Sequence, residues 1–170
     1  MKIEIQRLNL ADLEPFYTFF SKNINTTFPE YSEKLKEFML NSEQAWNKEN
    51  YRNKLTKQNR YIVGAFIEDM LVGSIEYTTP EFGVSFCVWL MVDSEYQRKG
   101  IGKKLIEHWE KEMKDIGVHF IYLNADDRNK DFYTKVGFTN NGKFEKAWFG
   151  LDSLFFSKQI QEPNEKVFLK

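Results

Sequence analysis

One stretch of this chain constrains its fold more than any other. The apolar run "GVSFCVWLMV" leads into "DSEYQRKGIG", where two glycines stand one residue apart, and a helix-like run follows at once. Ile101, Leu105, Trp109, Met113 and Ile116 recur at steps of four and three, which gathers them on one apolar helical face. Gly117 supplies a C-terminal stop, and "HFIYLNA" then reads as a second strand. A strand, a helix and a strand in succession imply a right-handed parallel crossover. The first strand is apolar on both faces near its end, as a buried central strand is.

The rest of the chain reads as antiparallel. "KIEIQRL" alternates like a strand, and Asn9 or Asp12 is placed to cap the apolar run "LEPFYTFF" as a helix. After the polar stretch "NINTTFPEYSEK", the run "KLKEFMLNSEQAWNKENYRNKL" has a helical pattern. "YIVGAFIED" and "LVGSIEYTT" straddle a turn at Asp69 and predict a hairpin. "DFYTKV" predicts a short helix closed by Gly137, and "GKFEKAWFGLDSLFFSKQ" supplies two final strands. The expected class is α/β: a mixed, mostly antiparallel sheet flanked by helices, with one parallel β-α-β crossover. No repeat, low-complexity tract or linker divides it, so one domain over residues 1–170 is expected.

Composition narrows the function classes. A formal net charge of -1 argues against general nucleic-acid binding, which needs a basic excess. No apolar run approaches the ~20 residues of a membrane span, and the first residues lack the apolar core of a signal peptide. A single cysteine, Cys87, makes no internal disulfide and suits a reducing cytoplasm. Two histidines and one cysteine offer no metal-ligand spacing, so no metal is expected.

The paired glycines bear on chemistry. The first amides of a helix have no internal partner and carry partial positive charge. Glycines remove the Cβ atoms that would keep an anion away from them. Gly100 and Gly102, ringed by Arg98, Lys99, Lys103 and Lys104, thus form an anion cradle, although the same glycines would also serve merely to bend the chain. The motif is neither G-x-x-x-x-G-K-[ST] nor G-x-G-x-x-G, because Leu105 stands where the third glycine belongs.

"MVDSEYQRKGIGKKLIEHWE" resembles the central signature of the GNAT superfamily of acyl-CoA-dependent N-acyltransferases, with Gln97, Gly100 and Gly102 filling Gln/Arg-x-x-Gly-x-Gly/Ala. "DFYTKVGF" is similar to the family's second common stretch, in the right order. The resemblance implies acetyl-CoA as cosubstrate and an amine as acceptor, with a homodimer open. It places the diphosphate on the amides of Arg98, Lys99, Gly100, Ile101, Gly102 and Lys103. The pantetheine arm then runs beside the splayed strand ending at Leu90, Met91 and Val92.

The implied reaction is direct attack of a neutral amine on the thioester. An alkyl ammonium, with a pKa of about 10.4, must first lose a proton, and a departing thiolate, with a pKa of about 8.5, is helped by an acid. Tyr133 holds the family's position for that acid. The base is open: "SFCVWLMV" lacks the carboxylate common there. Glu76 and Glu81, on or after the neighbouring strand, are placed to reach the site through water, with Glu76 the candidate, although each reads first as a solvated surface carboxylate. Cys87 reads as a packed thiol rather than a nucleophile. Where the family often has an asparagine contacting the cofactor arm this chain has Asp126, so Asn124 or Asn129 is the candidate instead. By resemblance, "NINTTFPEYSE" and "KFEKAWFGLDSLFF" wall the acceptor cleft. Phe28, Tyr31, Trp148 and Phe149 are its aromatic candidates, and Glu30 and Glu33 its acidic ones. A small-molecule amine is favoured. A peptide acceptor and a non-catalytic acyl-CoA-binding module are the alternatives.

Overall fold

The computed structural model describes residues 2–42 and 46–168. In chain order these form β1 (Glu4–Arg7), α1 (Leu13–Thr27), α2 (Glu33–Asn41), α3 (Lys48–Lys57), β2 (Arg60–Ile67), β3 (Met70–Thr78) and β4 (Val84–Val92). Then come α4 (Ile101–Asp115), β5 (Phe120–Ala125), α5 (Lys130–Lys135), β6 (Thr139–Phe144), β7 (Ser153–Gln159) and α6 (Glu165–Phe168). Among the described residues the strand order is β1-β2-β3-β4-β5-β7-β6. The sheet is mostly antiparallel, and β4 and β5 are parallel, with Val84 opposite Phe120 and Cys87 opposite Leu123. No described helix is long and apolar enough to cross a membrane.

The chain forms two compact units, and β3, β4 and α4 each contribute to both. The first contains residues up to Glu76 together with Leu90–Leu105. Its β1 and β2 pair antiparallel, and β2 turns into β3 through Glu68 and Asp69, both at positive φ (48° and 63°). Two left-handed residues in a two-residue turn match the twist of the strands they join. The helix α1 buries Leu13, Phe16, Phe20 and Ile24, spaced at three and four. The Phe16 and Phe20 rings lie 4.8 and 5.2 Å from that of Tyr51 on α3. Asp12 stands at the N-cap of α1 without a side-chain cap bond, and Asn9 caps the short turn Leu10–Asp12 before it, accepting from the Ala11 amide at 2.8 Å in a capping box with Asp12.

The helical pattern over residues 34–55 is divided in two. It supplies α2 and α3, with Glu43, Gln44 and Ala45 outside the described residues. Asn47 starts the second piece, because its Oδ1 accepts the Asn50 amide at 2.7 Å and so caps a new helix rather than continuing the old one.

The second unit contains Tyr77–Trp89 and residues from Ile106 onward. Here β7 lies between β5 and β6, antiparallel to both, with a bulge in β6 between Asn140 and Gly142. Trp109 of α4 stacks on Tyr77 at 5.7 Å and on Phe138 at 6.2 Å, and donates to Ser85 Oγ at 3.2 Å. The apolar face of α4 is buried at Ile101, Leu105, Trp109 and Met113, but Ile116 is 44% exposed. The helix ends at Asp115, so the helical period no longer places residue 116.

Candidate active site

The glycine-bearing turn belongs to the first unit. β4 ends at Val92, with Met91 buried and Leu90 and Val92 half-buried, and a short helical turn over Ser94–Tyr96 follows. Gln97 anchors the turn by donating to the Val92 carbonyl at 3.2 Å. Arg98 and Gly100 take left-handed backbone at φ 59° and 83°. The first helical hydrogen bond of α4 runs from the Lys104 amide to the Gly100 carbonyl at 3.1 Å. The amides of Ile101 and Gly102 therefore precede the helical ladder. A Cβ on Gly100 would meet no atom within 4 Å, so the glycine answers a backbone requirement and looks onto open space. Gln97, Arg98, Lys99, Gly100 and Lys103 are exposed, Gly102 is half-buried, and Ile101 is buried as the helix's anchor.

That anchor needs Gly73 on β3. A Cβ there would lie 2.8 Å from Ile101 Cγ2 and 3.4 Å from the Met91 carbonyl, so only glycine lets the first turn of α4 sit this close to β3. Asp93 fixes the other side of the turn. It is buried, its amide donates to the Val72 carbonyl at 3.0 Å, and its carboxylate accepts from Lys22 at 2.8 Å and from the Glu95 amide at 3.1 Å. Burial opposes its ionisation, but the hydrogen bonds from Lys22 and Glu95, the Lys22 charge and Asn23 outweigh that and hold its pKa below the ordinary aspartate value.

A group with a depressed folded pKa stabilises above its unfolded pKa, and that contribution is lost as pH falls through the folded value. Asp93→Ala removes a capping carboxylate, and Lys22 is too exposed to add much, so a loss of about 1–2 kcal/mol is expected at pH 7. That is roughly 2–8 °C in Tm. The gap between the two proteins should close as pH falls through the aspartate range. Melting curves from pH 7 to 3 check this; a constant gap would mean that the carboxylate's charge plays no part.

Glu76 corrects one expectation. It is not a surface group: it is fully buried near the end of β3, and Lys54 of α3 donates to its Oε1 at 2.9 Å. Its Oε2 is buried with no hydrogen-bond partner among the described residues. A strand buried on both faces hides the alternation that would have distinguished an inward carboxylate from an outward one. Glu81 is exposed.

Tyr133 belongs to the second unit. It is buried in α5, its ring 5.0 Å from Phe132, 6.0 Å from Phe138 and 5.4 Å from Phe156. No described residue hydrogen-bonds its hydroxyl. Burial, and then the charges of Cys87 and Asp126, push its pKa well above the ordinary tyrosine value, so the phenol keeps its proton throughout the neutral range. Asn124 of β5 has a buried Oδ1 without a partner among the described residues. Asn129 instead donates to Asp126 Oδ1 at 3.0 Å, while Arg128 holds the other oxygen at 2.5 Å. Asp126 is thereby engaged in its own turn. Cys87 is a buried free thiol.

The acceptor-side candidates fall into two sets. Phe28 stacks with Tyr31 at 5.0 Å and with Trp46 at 5.2 Å, and Glu33 pairs with Lys36. Trp148 and Phe149 are each 57% exposed in the turn before β7. Sequence reasoning missed Asp93, Gly73 and Lys54. Asp93 alone left a local signal, as a capping residue ahead of the short Ser94–Tyr96 turn.

Among solved structures this fold is that of N-acetyltransferases. PaiA N-acetyltransferase from Thermoplasma acidophilum, solved in complex with coenzyme A, matches with a TM-score of 0.79 and 26% identity over 94% of this chain and 99% of its own. The ribosomal-protein-S18-alanine N-acetyltransferase from Escherichia coli shares the fold at a TM-score of 0.73, with 16% identity over 96% of this chain and 97% of its own. The spermidine N(1)-acetyltransferase of Thermoplasma acidophilum is 30% identical over 146 residues, 81% of this chain and 89% of that one. The acetyltransferase (GNAT) family model matches residues 24–138, and the chain belongs to that family.

Proposed function

We propose that this protein transfers an acetyl group from acetyl-CoA to a primary amine on a small molecule, and that residues 1–170 act as one acetyltransferase domain. The observation that carries this is the α4 turn, where amides ahead of the helical ladder and an open approach at Gly100 suit a diphosphate. The coenzyme A complex of the PaiA relative supports the cofactor, and the spermidine N(1)-acetyltransferase supports a small amine.

The roles follow from the chemistry of the groups. Gln97 and Gly100 shape the turn, and the amides and cations from Arg98 to Lys103 hold the phosphates. Leu90, Met91 and Val92 offer strand backbone to the pantetheine amides, since β4 continues past the end of its parallel register at Cys87. Asn124, rather than the already engaged Asn129, contacts the arm. Glu76 is the base, taking the ammonium proton on Oε2 directly or through water. The neutral amine attacks the thioester carbonyl; as the tetrahedral adduct collapses its nitrogen gives up its surplus proton to water, Tyr133 protonates the departing sulfur, and the tyrosine then regains a proton from water.

Two measurements test the proposal. Acetyl-CoA at a hundredfold excess over Kd should add ~2.7 kcal/mol of stability, or about 5–10 °C in Tm. CoA release should then depend on one member of a panel of polyamines, aminoglycosides, amino acids and peptides. No thermal shift at millimolar acetyl-CoA would remove the cofactor assignment. Binding without turnover of any amine would favour a non-catalytic module, and turnover of peptides alone a protein acetyltransferase.

A further inference from the structure

From the contacts around the end of α5 we infer that Lys158 is a positioning residue, which holds Tyr133 in place for the acid step. This rests on the proposal that Tyr133 is the acid. Lys158 lies on β7, and its Nζ makes two bonds at once: to Glu110 Oε1 of α4 at 2.5 Å and to the Val136 carbonyl at 2.9 Å. Val136 caps the C-terminal end of the helix that carries Tyr133. The lysine stem fills the place of a missing side chain at Gly137, where a Cβ would lie 3.1 Å from Nζ and 3.2 Å from Cε. Gly137 also takes φ 92°, so glycine both makes the turn and leaves room for the lysine. Immediately beyond, the Phe138 amide donates to the Tyr133 carbonyl at 3.0 Å, and the Phe138 ring lies 5.7 Å from the same Nζ.

A six-residue helix has almost no ladder of its own, so its orientation is set by what grips its ends and its buried ring. The ring is gripped by Phe156, two residues from Lys158 on the same strand. The helix end is gripped by Lys158 itself. The ion pair is partly withdrawn from solvent, with Lys158 at 24% and Glu110 at 14% side-chain exposure, so it is less screened than a surface pair. Without the lysine, the Val136 carbonyl that caps α5 loses this donor, Glu110 loses its cation, and the hydroxyl of Tyr133 is free to shift. A misplacement of about 1 Å in a reacting group costs on the order of a hundredfold in rate.

The test is a double-mutant cycle on the full chain, read as kcat and KM. Lys158→Met should lower kcat by roughly ten- to a hundredfold, with the KM for acetyl-CoA changed by less than about threefold. The same substitution in a Tyr133→Phe background should cost less than about twofold more, because the proton it would misplace is already gone. Lys158→Arg, which keeps both donor and charge, should restore most of the rate. Glu110→Gln, a milder change in case the methionine variant fails to fold, should show the same coupling with a smaller loss. Equal losses in both backgrounds, or no loss in either, would overturn the positioning role. A Tyr133→Phe variant with undiminished kcat would instead overturn the acid assignment itself, and the positioning role with it.

Discussion

Tyr133→Phe should lower kcat by roughly 10²–10⁴, the usual worth of a general acid, while acetyl-CoA affinity stays nearly constant. The ring is buried against Phe132, Phe138 and Phe156, and phenylalanine preserves all three contacts. No described residue hydrogen-bonds the hydroxyl, so its removal strands no protein partner and the fold should melt within a few degrees of the wild type. On the proposed acid role, what the variant loses is the proton. Burial raises the pKa of Tyr133 well above its ordinary value, so wild-type activity should show no basic limb from this group below the usual tyrosine range. The defect should shrink with a thioester whose thiol has a lower pKa, since a better leaving group needs less help. Steady-state kinetics with two thioesters decide the matter. An equal defect with both, or none at all, would make Tyr133 a packing aromatic, and a collapse of acetyl-CoA binding would make it a cofactor ligand.

Gly102→Val should weaken acetyl-CoA by roughly a hundredfold or more, with a much smaller effect on the fold. Gly102 lies in the first turn of α4 and does not take positive φ, so a β-branched residue there meets no backbone strain and has a helix propensity no worse than that of glycine. The new methyl groups would instead stand beside the amides that precede the ladder. Hydrogen bonds to a charged group contribute about 1.5–3 kcal/mol each, so losing one or two gives the stated change. Gly100→Val would be a poorer test, because φ 83° strains any side chain there and fold and affinity would fall together. Calorimetric titration with CoA alongside a melting curve separates the terms. Retained affinity in Gly102→Val would place the phosphates elsewhere.

The crossover that carries the glycine turn was legible because each of its signals is local. A 3.6-residue period runs from Ile101 to Met113, and glycine stands at residue 100, where the backbone turns left-handed. The short helix that carries Tyr133 was legible for a similar reason, since a glycine closes it. Glu76 was not. A carboxylate in a strand reads as solvated, and only Lys54, brought in from a helix 22 residues earlier, makes its burial tolerable. The break between α2 and α3 was hidden because the helical pattern continues across it, while the cap at Asn47 depends on one side-chain bond.

By itself, then, the sequence determined the order and type of the main elements, the mixed sheet with its parallel pair, the glycine turn ahead of α4, and the family. The elements depend on periods, caps and backbone restrictions that act over a few residues, and the family on the resemblance of two short stretches to its common motifs. Only the tertiary structure decided which charges are buried and which groups they pair with. Asp93 holds the turn ahead of α4 through Lys22, Glu76 is buried with one oxygen bonded to Lys54 and the other without a partner among the described residues, and Lys158 ties Glu110 to the end of the Tyr133 helix. A charged side chain has the same appearance in a sequence whether it faces water or a partner. Its role is set by desolvation and by groups tens of residues away, which folding alone brings within 3 Å.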